Sequence, residues 1–164
     1  MLEATAERSW RGRFRVTSDG SPIGHLEFRA LAESGAIVMG DRRLTIRREG
    51  AMSGGWLLER DTPGVGPQVV ASAEKPSAWR NGIILRMAGR PELRLDRASA
   101  WKATLELTEA DRRLGTIRRT GVWRRRVQAE IPDDVPPPLQ LFVLWMAVLL
   151  YRRDDSAAAG AASG

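Results

Sequence analysis

The chain has no cysteine and a single histidine, His25. The first absence excludes a disulfide framework and thiolate metal sites, and the second makes a histidine-based metal cluster within one chain impracticable. Lysine is nearly missing too. Lys75 and Lys102 are the only two, so the basic side of a net charge of +6 is almost all arginine. Neither a Gly-x-Ser-x-Gly elbow nor a Gly-x-x-x-x-Gly-Lys loop is present, which removes the usual signatures of a serine hydrolase and of a phosphate-cradling nucleotide site. No acidic loop has EF-hand spacing. Carboxylates such as Asp61, Asp96 and Glu106 are scattered, and His25 has only Ser21 and Glu27 near it in sequence. A general base needs a positioned partner, so the chain is read as non-enzymatic, with no cofactor and no metal. The start, Met1-Leu2-Glu3-Ala4-Thr5, lacks a basic region leading into an apolar stretch. No signal peptide is expected, and the cytoplasm or its membrane face is the expected compartment. Also missing is any apolar run of the roughly 20 residues that a bilayer span requires.

What is present is a shorter run, Leu139 to Tyr151, which follows Pro136-Pro137-Pro138 and ends at Arg152-Arg153. As a helix it reaches about 20 Å. It is apolar on every side, so something must surround it. One surrounding is a β-barrel closed around it. The other is lipid, with the run as a short tail anchor and Arg152-Arg153 snorkelling. In either case the helix is expected over about 137–153, with Asp133 and Asp134 near its positive end and Arg152 and Arg153 complementing its negative end.

From Trp10 to Ile131 the chain reads as short alternating runs punctuated by glycine and proline, the all-β signature. Phe14 and Val16 alternate with Arg13 and Arg15, and Leu26 and Phe28 with His25, Glu27 and Arg29. Leu44 and Ile46, then Trp56-Leu57-Leu58, then Val69, Ala71 and Ala73 continue the pattern. Ile83, Leu85 and Met87 follow, then Leu93 and Leu95, the long run Trp101, Ala103, Leu105 and Leu107, and finally Ile117 and Trp123 to Ile131. About eleven strands are expected, with boundaries open by a few residues. An open sheet of that size leaves exposed edges, which closure removes. Such a barrel is too wide for strand side chains alone to fill, since about eight strands already suffice for that, and the apolar run has the length and polarity of a plug. The expected organisation is a mobile leader over 1–9, one barrel domain over 10–153, and a disordered Ala/Gly/Ser tail over 154–164 that carries too little apolar bulk to pack.

Many strands, a proline-rich approach and one terminal apolar helix together resemble the Tubby C-terminal-like superfamily, which includes Tubby proteins, phospholipid scramblases and plant LURP-one-related proteins. The resemblance is carried by Val70-Ala71-Ser72-Ala73-Glu74-Lys75-Pro76-Ser77, by Leu114-Gly115-Thr116-Ile117-Arg118-Arg119, and by Ile131-Pro132-Asp133-Asp134 leading into the helix. It covers about residues 10–153 and is nearest to small bacterial members. It implies a closed barrel of about twelve antiparallel strands enclosing the C-terminal helix. Functions in that superfamily range over phosphoinositide binding, proposed lipid scrambling and defence-linked roles, so fold alone does not assign one. The cysteine-rich and calcium-binding segments associated with scramblases have no counterpart here.

The densest basic stretch is Arg112, Arg113, Arg118, Arg119, Arg124, Arg125 and Arg126. A turn at Thr120-Gly121 would make the last five flank a hairpin, with Arg124 and Arg126 on one face and Arg125 beside Trp123 on the other. Arg118, Arg119, Arg124 and Arg126 are the candidate ligands of an anionic headgroup. Trp10 and Trp79, next to turns and arginines, are candidates for a membrane rim. Trp56, Trp101, Trp123 and Trp145 are expected in the core. The competing reading is an ordinary solvated surface filled with arginine by coding bias, on a module that binds a protein partner and no ligand. Nucleic acid ranks last among partners, because no recognition motif accompanies the charge.

Overall fold

Period-two alternation gives each strand one apolar face, and many such strands hide that face together only by curling onto something apolar. The computed structural model describes residues 1–7, 12–29, 32–50, 54–76, 82–99, 102–120 and 126–161. Among them, twelve antiparallel strands form a closed barrel. These are β1 (Leu2–Ala6), β2 (Arg13–Ser18), β3 (Ser21–Phe28), β4 (Gly35–Met39), β5 (Arg42–Arg48) and β6 (Gly55–Thr62), followed by β7 (Gly66–Glu74), β8 (Ile83–Met87), β9 (Leu93–Ser99), β10 (Lys102–Glu109), β11 (Arg112–Thr120) and β12 (Arg126–Glu130). Each strand pairs with its sequence neighbours, and β1 pairs with β12 to close the ring. The helix α1 (Pro137–Ala161) runs through the middle.

The inner wall is the apolar half of each alternation: Phe14, Val16, Leu26, Ile37, Ile46, Trp56, Leu58, Leu85, Leu95, Leu107, Ile117 and Val127 are all sealed from solvent. Against it, every residue of α1 from Leu139 to Tyr151 is buried except Gln140 and Leu150, which are partly so. The apolar run is therefore a barrel plug. No helix among the described residues is long and apolar enough to cross a membrane.

Polar atoms on the plug find backbone partners, as burial requires. Trp145 Nε1 donates to the Glu27 carbonyl at 3.0 Å. The approach is tight: a Cβ on Gly35 would lie 1.9 Å from that same oxygen and 3.2 Å from Trp145 Nε1, so only glycine fits. The Tyr151 hydroxyl lies 2.9 Å from the Ala103 carbonyl and 3.1 Å from that of Ile117, and its one proton serves both. At the start of α1, Gln140 Nε2 donates to the carbonyls of Pro132 and Val135 at 3.1 and 2.8 Å.

A repeat is built into the wall. The hairpins β2–β3, β6–β7 and β10–β11 each carry a bulge at the same place, where Ile23, Val70 and Leu114 are the extra residues. Each extra residue packs partly against the core, and each is followed by a small one: Gly24, Ala71 or Gly115. A Cβ on Gly24 would meet the Val38 carbonyl at 2.0 Å, and one on Gly115 the Glu130 carbonyl at 1.8 Å, equivalent positions two strands from each hairpin's start. Beside the three bulges open shallow recesses of about 450, 460 and 540 Å³. The wall thus reads as three four-strand units, the third completed by β1.

Four expectations need correction. Residues 1–9 are not a leader throughout, because Leu2–Ala6 is β1, paired on both edges, with Leu2 and Ala4 buried. Its inward side chains are mostly alanine, which gives little apolar signal. The segment Gly35–Met39, not assigned to any element from sequence, is β4. The tail from Asp154 to Ala161 is helical rather than disordered, since alanine, the strongest helix former, continues a helix that is already anchored. Consequently Arg152 and Arg153 lie within α1 rather than at its C-terminal end. Trp56 and Trp145 are in the core as expected. Trp10, Trp79, Trp101 and Trp123 lie outside the described residues.

Leu144→Asp would place an unpaired carboxylate in this interior at a cost of several kcal/mol. The expected result is insoluble or unfolded protein by circular dichroism, and a well-folded soluble variant would contradict the plugged barrel. The β10–β11 turn carries strain of the opposite kind. Ala110 and Asp111 have φ of 46° and 63°, the type I′ geometry that favours Asn-Gly. Ala110→Asn is expected to raise stability by about 0.5–1 kcal/mol in urea unfolding.

Candidate functional site

In an up-and-down barrel, alternate connections open at opposite ends. The end where the chain arrives through Pro132 to Pro136 is here the base, and the end where α1 leaves is the mouth. The turns of the base, with the strand ends beside them, carry Asp19, Asp41, Asp61, Glu92, Glu109, Asp111, Glu130, Asp133 and Asp134, against Arg42, Arg60, Arg90, Arg112, Arg113 and the Met1 ammonium. There Arg90 ties the incoming chain to the wall, binding the Asp134 carbonyl at 2.6 Å and its carboxylate at 3.0 Å. The mouth reverses the balance: Arg13, Arg29, Arg48, Lys75, Arg97, Arg119, Arg126, Arg152 and Arg153 outnumber Glu7, Glu33, Glu49, Glu74, Asp154 and Asp155. The segments outside the described residues contain Arg8, Arg11, Arg80, Arg124 and Arg125 and no Asp or Glu.

The mouth is organised by inward-facing series that end in a cation. Leu44 and Ile46 lead to Arg48, Leu93 and Leu95 to Arg97, and Ile117 to Arg119. Each arginine meets α1, its aromatic neighbours or an acid bound to it. Arg97 Nη2 binds Asp154 Oδ1 at 2.5 Å, and Arg119 binds both oxygens of Asp155 at 2.8 Å. Arg153 holds Glu33 with two bonds of 2.6 Å, while Arg48 reaches the same carboxylate at 3.1 Å. Aromatic faces lie beneath these cations: Arg48 and Arg153 over Trp56 at 5.8 and 5.2 Å, Arg119 over Tyr151 at 5.3 Å, and Arg152 over Phe28 at 4.7 Å. Burial pushes the Tyr151 phenol far above its ordinary pKa, so it stays a donor. Two recesses flank the emerging helix, one of about 340 Å³ beside Glu33, Arg152 and Arg153, the other of about 140 Å³ among Lys75, Arg97, Arg153 and Asp154.

Of the headgroup candidates, Arg118 and Arg126 come together. Register pairs Arg126 with Thr120 and Arg118 with Gln128 on the outer face, so the two arginines are diagonal neighbours, typically about 7–8 Å apart. Arg118 is exposed and ion-pairs with no described residue, while Arg126 has only a 3.8 Å contact with Glu3. Arg119 does not belong with them. It faces inward, opposite Val127, with its side chain 8 % exposed and committed to Asp155. Arg124, Trp10 and Trp79 lie outside the described residues. Sequence reasoning missed Arg48, Arg97, Arg153 and Lys75, although the inward alternation from Leu93 through Leu95 already pointed Arg97 at the plug.

His25 sits on the outer wall, not at the mouth. Arg13 Nη2 lies 2.6 Å from its Nε2, which makes Nε2 the acceptor and places the ring proton on Nδ1. Glu27 is 3.6 Å away and is itself held by Arg43 at 2.7 Å. Burial, reinforced by the Arg13 charge, holds the imidazole below its usual pKa of 6.5. As pH falls through 6.5 the unfolded chain takes up a proton that the folded ring resists, so this group favours folding above 6.5 and that contribution fades below it. The melting temperature is therefore expected to drop less between pH 7.5 and 5.5 in His25→Gln than in the parent, and a steeper drop in the variant would reverse the assignment. Among the described residues no group of three or more acidic or histidine side chains could hold a metal ion. No family model, curated protein or solved structure matches the chain.

Proposed function

We propose that this barrel is a non-enzymatic, Tubby-like module that docks its mouth on an anionic lipid surface, such as the inner face of the cytoplasmic membrane. The observation that carries this reading is the sorting of charge along the barrel axis, acid at the base and arginine at the mouth. A molecule so polarised is turned by the negative potential of an anionic leaflet before contact. Each cation that nears the surface then contributes about 1 kcal/mol, within a Debye length of about 8 Å at physiological salt. Arg118 and Arg126 suit this role because, among the described residues, only Glu3 ion-pairs with either of them, at 3.8 Å. Membership of the Tubby-like superfamily is supported by the enclosed terminal helix and the closed twelve-strand wall.

Co-sedimentation with vesicles of graded anionic content, at low and physiological salt, tests this reading. Binding is expected to rise with anionic content, fall with salt and weaken by at least about tenfold in Arg118→Glu plus Arg126→Glu. Binding that ignores both lipid charge and salt would overturn the electrostatic reading. A folded protein that binds no vesicle would make the barrel a protein-interaction module instead.

A further inference from the structure

The mouth presents a contradiction if arginines alone are its purpose, because two of its cations are already answered by carboxylates from α1. Apolar anchoring of the helix ends at Tyr151. Beyond it, Arg152 to Asp154 are half-buried and Asp155 to Ala161 exposed. Two consecutive acids at this point each reach a different strand, Asp154 to Arg97 on β9 and Asp155 to Arg119 on β11. In both pairs the acid is the more exposed partner, 42 % against 26 % for Asp154 and Arg97, and 46 % against 8 % for Asp155 and Arg119.

We infer that Asp154 and Asp155 are internal stand-ins for phosphate, forming a latch that an anionic surface opens. On such a surface Arg97 and Arg119 exchange carboxylate for phosphate, and the end of α1 beyond Arg153 lets go of the mouth. The idea rests on the membrane reading above and adds its regulation. The exchange is nearly balanced, which is what a latch requires. The acid of each pair is nearly half exposed, so water and salt weaken its hold, whereas the guanidinium fork binds phosphate in the same two-point geometry as carboxylate. Arg153, held between Glu33 and the Trp56 face, stays in place and marks where release stops. The latch thus reduces the apparent affinity for the surface by the fraction of time it is shut.

Two measurements on the full chain decide the matter. The first is amide hydrogen exchange without lipid, in pyrophosphate or in chloride at equal ionic strength. Pyrophosphate is expected to speed exchange over 154–161 by about tenfold while 139–151 stay protected, as local opening predicts. Unchanged exchange over 154–161 would overturn the latch, whatever vesicles do. The second compares vesicle binding of Asp154→Asn plus Asp155→Asn with that of Glu7→Gln plus Glu49→Gln, which removes equal charge from the same end. The second variant is expected to bind up to about thirtyfold tighter than the parent through charge alone, and the first about threefold tighter again. Equal gains would overturn the latch and leave the membrane reading standing. Failure of every variant to bind vesicles would remove the membrane reading and leave the latch to the pyrophosphate result.

Discussion

A helix without a polar face has no comfortable place in water, and the segment from Leu139 to Tyr151 is such a helix. Its enclosure sets the rest of the molecule. The ring must be wide enough to admit a helix, hence twelve strands, and every strand must turn a lipid-like face inward to meet it. The two ends of the enclosure must also be sealed, because a plug that slid along the axis would bring Leu139 or Tyr151 into solvent. At the base the seal is made by Gln140 and by Arg90 gripping Asp134. At the mouth it is made by the Tyr151 hydroxyl and the ion pairs around Glu33, Asp154 and Asp155.

The two seals use similar ion pairs in opposite electrostatic surroundings, and that difference makes one end a candidate for function. At the base Arg90, 14 % exposed, is paired both with the equally shielded Glu109 and with the exposed Asp134, amid an excess of acids that repels a further anion. The pairs at the mouth join inward arginines to acids that water reaches. A cation paired to a hydrated acid is available to a better anion where the surrounding charge draws that anion in, as at the mouth, and not where it repels it, as at the base. The same side chains can therefore hold the plug and meet a charged surface, provided that they do not do both at once.

Much of this was legible in the sequence, and the limits have physical causes. The plug was visible because thirteen consecutive positions, Leu139 to Tyr151, leave no polar stripe. The wall was visible because bulky apolar residues recur at every second position in strands such as β2, β5, β9 and β10. Leu2–Ala6 was not, because Ala4 and Ala6 pack inward without the bulk that marks a core position. Gly35–Met39 was missed for the opposite reason, being apolar throughout where period two gives no contrast. Among the arginines, alternation set Arg126 on the face opposite Trp123, and the barrel turns it outward; Arg118 was given no face. Arg119 was grouped with them by density of charge, although its spacing from Ile117 already put it inside. The pairing of Asp154 with Arg97 could not be read from sequence, because it depends on how far α1 advances through a ring closed elsewhere.

The repeat of bulged hairpins also bears on how the chain reaches this structure. Two four-strand units are continuous in sequence, but the third is divided, with β10 to β12 at one extreme of the strand order and β1 at the other. Glu3 and Gln128, hydrogen-bonded across the seam at 3.1 Å, stand 125 positions apart. A chain growing from its N-terminus has therefore laid down nearly the whole wall before the ring can close, and the helix that fills it emerges later still. Until then a curved sheet with an apolar inner face and two open edges must wait. Such a topology folds slowly, through long-range contacts made last, and spends that interval in a form prone to pairing with other chains.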